Sequence, residues 1–329
     1  MRALGPSEIA RALPMADAVE AMRDAFAAHA EGTVLAPARS VLRTGGGSGA
    51  TLVMPAALEA ADLPLLAVKV VSVFPENRRH GLPSIHGTVL AIDAATGVPK
   101  ALLDGASLTA IRTAAACGVA ADCLARPESR VLAVFGSGVH ARTQVEAMRT
   151  VRGIEEVRIF NPNVPSARAM ADELAMSSSA PCGFRAVGSP AAALAGADIA
   201  CAATTSRVPV FEDADVPDGL HLSAIGSFKP KDREIPGATV ARARIVVDDR
   251  ESALEEAGDL LIPMSEGLID EGSIHCSLGD LVLDRCEGRA SSTQVTLFKS
   301  VGLAVQDVVA TQAVLRRAAA LGLGGSGVW

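Results

Sequence analysis

A short glycine turn is the segment whose residue types most directly suggest chemistry. Gly136-Ser137-Gly138 follows the apolar run 131–135, and Val139-His140-Ala141 begins a helical pattern. Between a strand and a helix, the first glycine permits a tight turn and the second lets the backbone approach a pyrophosphate. Free N–H groups at the helix N-terminus then favour the phosphate charge. In this context the pattern predicts a dinucleotide-binding site, and a mere tight turn is the alternative.

The residue that reads the adenosine ribose should end the next strand, about 20 residues further on. Asn161 holds that place. An acidic residue there would favour NAD and a nearby arginine would favour NADP, but the nearest arginine, Arg168, lies one to two helical turns later. The cofactor is therefore NAD or NADP, with NADH slightly favoured because Pro162 and Asn163 offer no cation for a 2′-phosphate.

Four basic side chains are candidates for binding an anion or transferring a proton: Arg39, Lys69, His86 and Arg112. Lys69 interrupts the apolar strand 66–71. It therefore either reaches solvent at the edge of a sheet or is buried and has a functional role. Arg112 lies in the sparsely charged helical segment 108–115, where its planar guanidinium suits bidentate carboxylate binding. A surface pair with Asp104 or Asp122 is the alternative for Arg112.

Two patterns of secondary structure must position these residues. Residues 7–31 predict two helices broken at Pro14, strands follow between 51 and 103, and a helix is expected at about 107–124. After residue 127 short strands alternate with helices, which is typical of a doubly wound parallel sheet. A long helix at 300–321 lies outside that alternation. We predict an α/β protein with a Rossmann domain at 116–304 and a discontinuous α+β domain at 1–115, completed by 305–329.

Composition excludes several classes of protein. The net charge of −7 and the absence of basic runs argue against a nucleic-acid partner. No stretch is long and apolar enough to span a membrane, and the N-terminus lacks the apolar core of a signal peptide. The six cysteines are scattered without a C-x-x-C pair, which favours buried thiols over a disulfide framework or a zinc site. We therefore predict a cytoplasmic protein without a metal site.

Taken together, these motifs resemble the ornithine cyclodeaminase/mu-crystallin family over nearly the whole chain. The matching segments, in order, are Met54-Pro55, the Lys69 strand, 86–89, 104–105, 108–115, the Gly136 turn, 224–227, 256–259 and 296–302. The resemblance implies a homodimer whose N-terminal domain binds an amino or imino acid and dimerises. It also implies that Arg39, Lys69 and Arg112 bind the substrate carboxylate. The positions that it implies for cofactor contact are Thr113, Gly136, Ser137, Gly138, Val139, Ala141, Asn161, Ile225, Gly226 and Val301.

One departure from the family pattern bears on the reaction. Ornithine cyclodeaminases carry an aspartate two residues after the glycine that matches Gly226, and this chain has Phe228 there. The sequence of this segment is most similar to that of the cyclic imino acid reductases of the family. We therefore predict an NAD(P)H-dependent reductase of 1-pyrroline-2-carboxylate or 1-piperideine-2-carboxylate. Alternatives are an acyclic amino or imino acid dehydrogenase (of the alanine dehydrogenase or iminosuccinate reductase type), an ornithine cyclodeaminase, and a non-catalytic NAD(P)-dependent ligand binder. Lys69 would complete the carboxylate clamp or act as proton donor.

Overall fold

The computed structural model describes residues 1–44, 49–59, 63–178 and 180–326. The chain forms two compact units, which we call the clamp unit (Met1–Arg112 and Leu303–Trp329) and the cradle unit (Thr113–Gly302). The last three residues of the predicted first domain, 327–329, lie outside the described residues.

The clamp unit contains one mixed sheet and three helices, and it shares a fourth helix with the cradle unit. The strands are β1 (Arg2–Leu4), β2 (Val34–Leu35), β3 (Ser40–Thr44), β4 (Gly49–Leu58), β5 (Leu65–Val73), β6 (Ile85–Asp93), β7 (Pro99–Asp104) and β16 (Gly325–Ser326). The helices are α1 (Pro6–Ala12), α2 (Met15–Ala30) and α11 (Ala304–Ala320), and the shared helix α3 (Gly105–Leu124) crosses the boundary between the units.

The central strands of the clamp unit form an antiparallel meander. The strand order is β16-β1-β7-β6-β5-β4-β2, with β3 also paired to β4. Helix α11 packs on β4, β5 and β6, and α2 packs on α11. Side chains of a strand alternate between the two faces, and on β5 the buried positions Leu65, Ala67 and Lys69 lie on one face. Lys69 therefore belongs to the covered face, together with its cross-strand neighbours Met54 and Val89.

The cradle unit contains a second sheet, whose described strands are all parallel. They are β8 (Val131–Phe135), β9 (Glu156–Phe160), β10 (Gly183–Ala186), β11 (Ile199–Ala202), β12 (His221–Ala224), β13 (Arg244–Val247), β14 (Ile274–Ser277) and β15 (Thr296–Lys299). The helices are α4 (Val139–Val151), α5 (Val164–Ser177), α6 (Pro190–Leu194), α7 (Gly237–Arg242), α8 (Arg250–Glu256), α9 (Gly258–Ser265) and α10 (Leu278–Val282). The order is β10-β9-β8-β11-β12-β15-β13-β14, and the predicted doubly wound sheet is confirmed.

The helix predicted at 300–321 begins later than expected. Thr296–Lys299 is strand β15, and the chain turns through Gly302, whose φ is 82°, before α11 starts at Ala304. The buried carboxylate of Asp248 accepts hydrogen bonds from the N–H groups of Val301 and Gly302 at 2.8 and 2.7 Å. The left-handed conformation of Gly302 interrupts a helix at this point, and Asp248, 53 and 54 positions away, holds the turn that precedes α11.

The prediction of reduced cysteines is wrong for one pair. Cys276 and Cys286 form a disulfide that links β14 to the loop after α10. Sequence spacing alone did not indicate this pair, because only folding brings the two thiols together. Cys117 and Cys201 are buried free thiols, as predicted. Within the described residues, no helix is both long and apolar enough to cross a membrane.

Candidate functional site

The glycine turn lies where the sequence placed it, between β8 and α4. Gly136 has φ +109°, and a Cβ added to it would lie 2.6 Å from the carbonyl oxygen of Ala203, so only glycine fits this close approach. Gly138 is the N-cap of α4, and a Cβ added there would meet nothing within 4 Å. No side chain caps the helix. The open backbone at Gly138 and the uncapped N-terminus of α4 together form a cradle that fits a pyrophosphate.

The sheet order places this cradle where parallel sheets bind ligands. From β8 the chain continues to β9 and β10 on one side, and then crosses to β11 and β12 on the other. The crevice at the carboxyl ends of β8 and β11 is therefore the point where the strand order reverses, which is the general ligand site of such sheets. The predicted cofactor residues Ser137, Asn161, Ile225 and Val301 all follow the carboxyl ends of their strands.

Asn161 is tied to the glycine turn. Its Nδ2 donates to Ser137 Oγ at 2.8 Å, and its Oδ1 accepts from the N–H of Asn163 at 2.8 Å. Arg142 holds the other side of the turn, because its Nη1 donates to the carbonyl oxygen of Ser137 at 2.5 Å while its Nη2 pairs with Glu173 at 2.7 Å. The turn is thus held by side chains on both of its sides.

The other predicted cofactor contacts occupy different environments. Ala141 is a fully buried residue of α4, and its small side chain allows the helix and the strand to pack closely. Val139, at the start of the helix, is 64% exposed. Thr113 is buried on α3. Ile225 and Val301 are half-buried in loops that follow β12 and β15.

Two buried carboxylates that sequence reasoning missed hold these last two loops. Glu234 accepts hydrogen bonds from the N–H groups of Gly226 and Ser227 at 2.7 and 3.1 Å, and from the N–H and hydroxyl of Thr204 at 2.7 Å each. Burial, and then the neighbouring Asp259 carboxylate, raise the pKa of Glu234. Asp248 holds the Val301 loop in the same way. Glu234 lies in a segment that matches the family, but its sequence does not show which backbone groups it binds, and Asp248 lies in no motif; the contacts of both acids are visible only in the fold.

A buried ion pair, hydrogen-bonded by surrounding protein groups, lies next to the Gly226 loop. Lys299 Nζ donates to Asp259 Oδ2 at 2.7 Å and to the carbonyl oxygen of Ser227 at 2.5 Å, and both charged side chains are fully buried. The other oxygen of Asp259 accepts from the N–H groups of Glu234 and Ile235 at 2.6 and 3.0 Å. Every carboxylate oxygen therefore has a protein partner.

The clamp unit contains a second buried ion cluster, built from three distant segments. Lys69 Nζ on β5 lies 2.6 Å from Asp307 Oδ2 on α11. Arg112 on α3 donates from Nε to Asp307 Oδ1 at 3.1 Å and from Nη1 to Gln306 Oε1 at 2.9 Å. All three charged side chains are at most 5% exposed. Sequence reasoning found Lys69 and Arg112 but missed Asp307, whose signal was an acid within an otherwise apolar helical segment.

This cluster carries more positive than negative charge. Among the described residues, the two cations Lys69 and Arg112 share the single carboxylate of Asp307. Burial, together with the charges of Arg112 and Arg39, outweighs the attraction of Asp307 and lowers the pKa of Lys69 from 10.5 to about 8. An anionic ligand would relieve this excess.

Hydrogen-bond donors in the cluster remain available. Within the part of the chain that the structure describes, no acceptor pairs with Arg112 Nη2, and Lys69 Nζ has Asp307 as its only partner. Gln306 Oε1 accepts from the N–H of Leu303 at 2.8 Å as well as from Arg112, which leaves its buried Nε2 without a partner among those residues. Buried donors without acceptors are rare in proteins, so the arrangement suits a carboxylate ligand.

The two remaining candidate residues, Arg39 and His86, differ in their position relative to the ion cluster. Arg39 is half-buried just before β3, close enough for its charge to lower the pKa of Lys69. His86 is exposed and pairs across the sheet with Ser72, whereas Lys69 pairs with Val89. Because side chains alternate along β6, His86 projects from the face opposite to Lys69. The structure therefore brings Arg39 to the cluster and leaves His86 outside it.

Comparisons with known proteins identify the family of the chain. The sequence pattern of the ornithine cyclodeaminase/mu-crystallin family matches residues 4–321. The chain belongs to this family. Among its relatives, a Delta(1)-pyrroline-2-carboxylate reductase of Bacillus cereus is 38% identical over 291 residues, which is 88% of each chain.

Two solved structures of the family share the fold of the whole chain. The Delta(1)-pyrroline-2-carboxylate reductase of Thermococcus litoralis, in complex with NADH and L-proline, has a TM-score of 0.95 and 37% identity, covering 99% of this chain and 100% of that one. An archaeal alanine dehydrogenase dimer with bound NAD has a TM-score of 0.92 and 29% identity, covering 100% and 99%. The family resemblance predicted from the motifs is confirmed.

Proposed function

We propose that this chain is an NADH-dependent reductase of small cyclic imino acids, acting on 1-pyrroline-2-carboxylate or its six-membered homologue to form the L-amino acid. The observation that carries the proposal is the buried cation cluster with unused donors, in a chain that also has a dinucleotide cradle. The similarity to the Thermococcus litoralis enzyme, whose structure contains NADH and L-proline, supports the same assignment.

The clamp residues have distinct tasks in this proposal. Arg112 offers Nη2, and Arg39 offers a second guanidinium, to the substrate carboxylate. Lys69, with a pKa of about 8, is an acid suited to work near neutral pH, and it donates a proton to the substrate nitrogen. A reduced nicotinamide, when bound, supplies the hydride. We assign no part in the clamp to His86, which projects from the opposite face of the sheet.

The cradle unit would hold the cofactor. Gly136, Ser137, Gly138, Val139 and Ala141 surround the pyrophosphate position. Asn161 lies at the ribose position, and Thr113, Ile225, Gly226 and Val301 complete the set that the family pattern implies. We propose NADH rather than NADPH because the uncharged Asn161 follows β9 and the nearby Arg142 is already paired with Glu173. The two related structures described above also contain NADH or NAD.

Phe228 separates this proposal from a cyclodeaminase. It lies half-buried in the loop after β12, with Lys229 Nζ 5.7 Å from the centre of its ring. An aromatic ring can neither activate water nor accept a proton, so the expected base of deamination is absent at this position. The similarity to an archaeal alanine dehydrogenase makes acyclic amino acid oxidation the second candidate activity.

We also propose that the chain is a homodimer through the clamp unit. The sheet face opposite to Lys69 carries apolar side chains, of which Leu42 and Val70 are 59% and 41% exposed. An exposed apolar face of this kind marks an interaction surface, and a second copy of the chain would cover it. Sedimentation equilibrium measures the association directly, and a monomer would contradict it.

The reaction type is tested with purified enzyme and two substrates. We expect reduction of 1-pyrroline-2-carboxylate by NADH over many turnovers, and no steady release of ammonia from ornithine with catalytic NAD. General acid–base help typically contributes about 10²–10⁴-fold, so the absence of the aspartate leaves at most a residual deamination. Steady ammonia production would restore the cyclodeaminase assignment, and oxidation of alanine in preference to proline would favour the second candidate.

A further inference from the structure

Helix α11 supplies the negative charge of the clamp. Asp307 lies 195 positions after Arg112 in the sequence, yet its two oxygens contact Arg112 Nε at 3.1 Å and Lys69 Nζ at 2.6 Å. Its side chain is 1% exposed. The neighbouring Gln306 binds the other edge of Arg112 and holds the start of α11 through Leu303. Two consecutive residues of one helix thus orient both cations.

Asp307 is the group that keeps a proton on Lys69. The charged groups acting on Lys69 are Asp307 from α11, Arg112 from α3 and Arg39 from the segment before β3. Its neighbours on the adjoining strands, Met54 and Val89, are apolar. Burial and the two guanidinium groups all favour the neutral amine, and Asp307 alone favours the ammonium.

We propose that Asp307 is a positioning residue that holds the Lys69 ammonium protonated and in place for proton transfer to the substrate nitrogen. The inference rests on the proposed reductase function. In the reductive step the hydride forms a C–H bond at the imine carbon, and the π electrons of C=N pass to nitrogen. Nitrogen takes a proton from Lys69, which becomes neutral and regains a proton from water. The nicotinamide is oxidised, and the imine is reduced to the amine.

A merely structural ion pair would look different. In the Lys299–Asp259 pair, both carboxylate oxygens and two N–H directions of the lysine are used by fixed protein groups. Lys69 instead has one partner among the described residues, and the Nε2 of Gln306 beside it has none. Asp307 Oδ2 accepts no directed hydrogen bond from the described residues, so it holds Lys69 as an ion pair and leaves the N–H groups of the lysine for a ligand.

The experiment measures kcat/KM for imine reduction against pH in three variants. In the wild type, activity should fall as pH rises through the pKa of Lys69, about 8. Asp307→Asn removes the charge that favours the ammonium, so the alkaline limb should move to lower pH by roughly 1–3 units. Asp307→Glu keeps the charge but displaces it, so the limb should stay near its wild-type place while kcat falls. Asp93→Asn, which breaks the partly exposed pair with Lys100, is the matched control and should leave the profile unchanged.

Each outcome decides between the alternatives. An unmoved alkaline limb in a folded Asp307→Asn variant overturns the inference and leaves the reductase function intact. If that variant does not fold, as thermal melting will show, Asp307→Glu decides alone, and wild-type kcat in it overturns the positioning role. A wild-type enzyme that reduces no cyclic imino acid contradicts the proposed function itself, before any variant is compared.

Discussion

Each unit of this protein contains one buried lysine–aspartate pair, and the two pairs differ in what else they touch. Lys299 and Asp259 in the cradle unit are enclosed by backbone groups of the 227 and 234–235 segments. In the clamp unit, Lys69 and Arg112 share the carboxylate of Asp307. Donors of the lysine and of the guanidinium group remain unused among the described residues. The charges and burial are similar, but only the first pair is saturated.

The difference indicates how to separate a structural ion pair from a binding site. A buried charge is tolerated when hydrogen bonds satisfy it, so the saturated pair is complete without a ligand. The unsaturated pair forms, with Arg112, a group of net positive charge, and burial is the main cause that lowers the pKa of Lys69 to about 8. Perturbed groups with unused donors are typical of functional sites. Four predictions test the two units and the contrast between their ion pairs.

The largest expected effect separates the two lysines. Lys299→Met leaves Asp259 buried without its cation and should lower the free energy of unfolding by about 3–5 kcal/mol. Lys69→Met should cost clearly less, because Asp307 keeps Arg112 as partner and burial already disfavours the charged form of Lys69. Urea unfolding of both variants measures the difference, and equal losses would contradict the contrast.

The pH dependence of stability has the same origin. The folded pKa of Lys69, about 8, lies below its ordinary value of 10.5, so the unfolded chain binds this proton more tightly. The resulting penalty on folding is full below pH 8 and lessens as pH rises toward 10.5. The free energy of unfolding of the wild type should therefore rise between pH 8 and 10.5, and we expect this rise to be absent in Lys69→Met.

The cradle should be sensitive at its open glycine. Gly138→Trp fills the space that the backbone leaves for the pyrophosphate, so NADH affinity should fall at least about a hundredfold, or by about 2.7 kcal/mol. The fold should persist, because a side chain at Gly138 meets no protein atom nearby. Gly188→Trp, at another open glycine of the same unit, is the control. Calorimetry measures the affinity, and wild-type binding by the Gly138 variant would remove the assignment of the cradle.

The smallest expected effect concerns the guanidinium of the clamp. Arg112→Ala should lower kcat/KM roughly tenfold to a hundredfold, since a charged hydrogen-bonded contact contributes about 1.5–3 kcal/mol. Arg112→Lys should recover little, because one ammonium cannot replace the planar guanidinium that contacts Asp307 and Gln306 while Nη2 remains for the substrate. Arg317→Ala, which breaks the half-exposed pair with Asp17, is the control in the same unit. An Arg112→Ala variant with the kcat/KM of the wild type would contradict a role of this arginine in substrate binding.

The cradle could be predicted from sequence because its site is local. The turn at Gly136, the strand before it and the helix after it occupy about twenty consecutive residues, and their order already implies the parallel sheet. Lys69 and Arg112 could be recognised as unusual because each is a cation within an apolar element. Local pattern therefore determined the fold class, the family, the cofactor cradle and half of the clamp.

Only the tertiary structure decided which groups meet. It placed Asp307 against Lys69 and Arg112, turned His86 to the opposite face, started α11 after Gly302 through Asp248, and joined Cys276 to Cys286. Each of these facts depends on strand register or on residues far apart in the chain. A one-residue change of register reverses the face that a side chain occupies, and no local pattern encodes a contact across 195 positions. The sequence alone determined which residues were suited to chemistry, and packing determined which of them could act together.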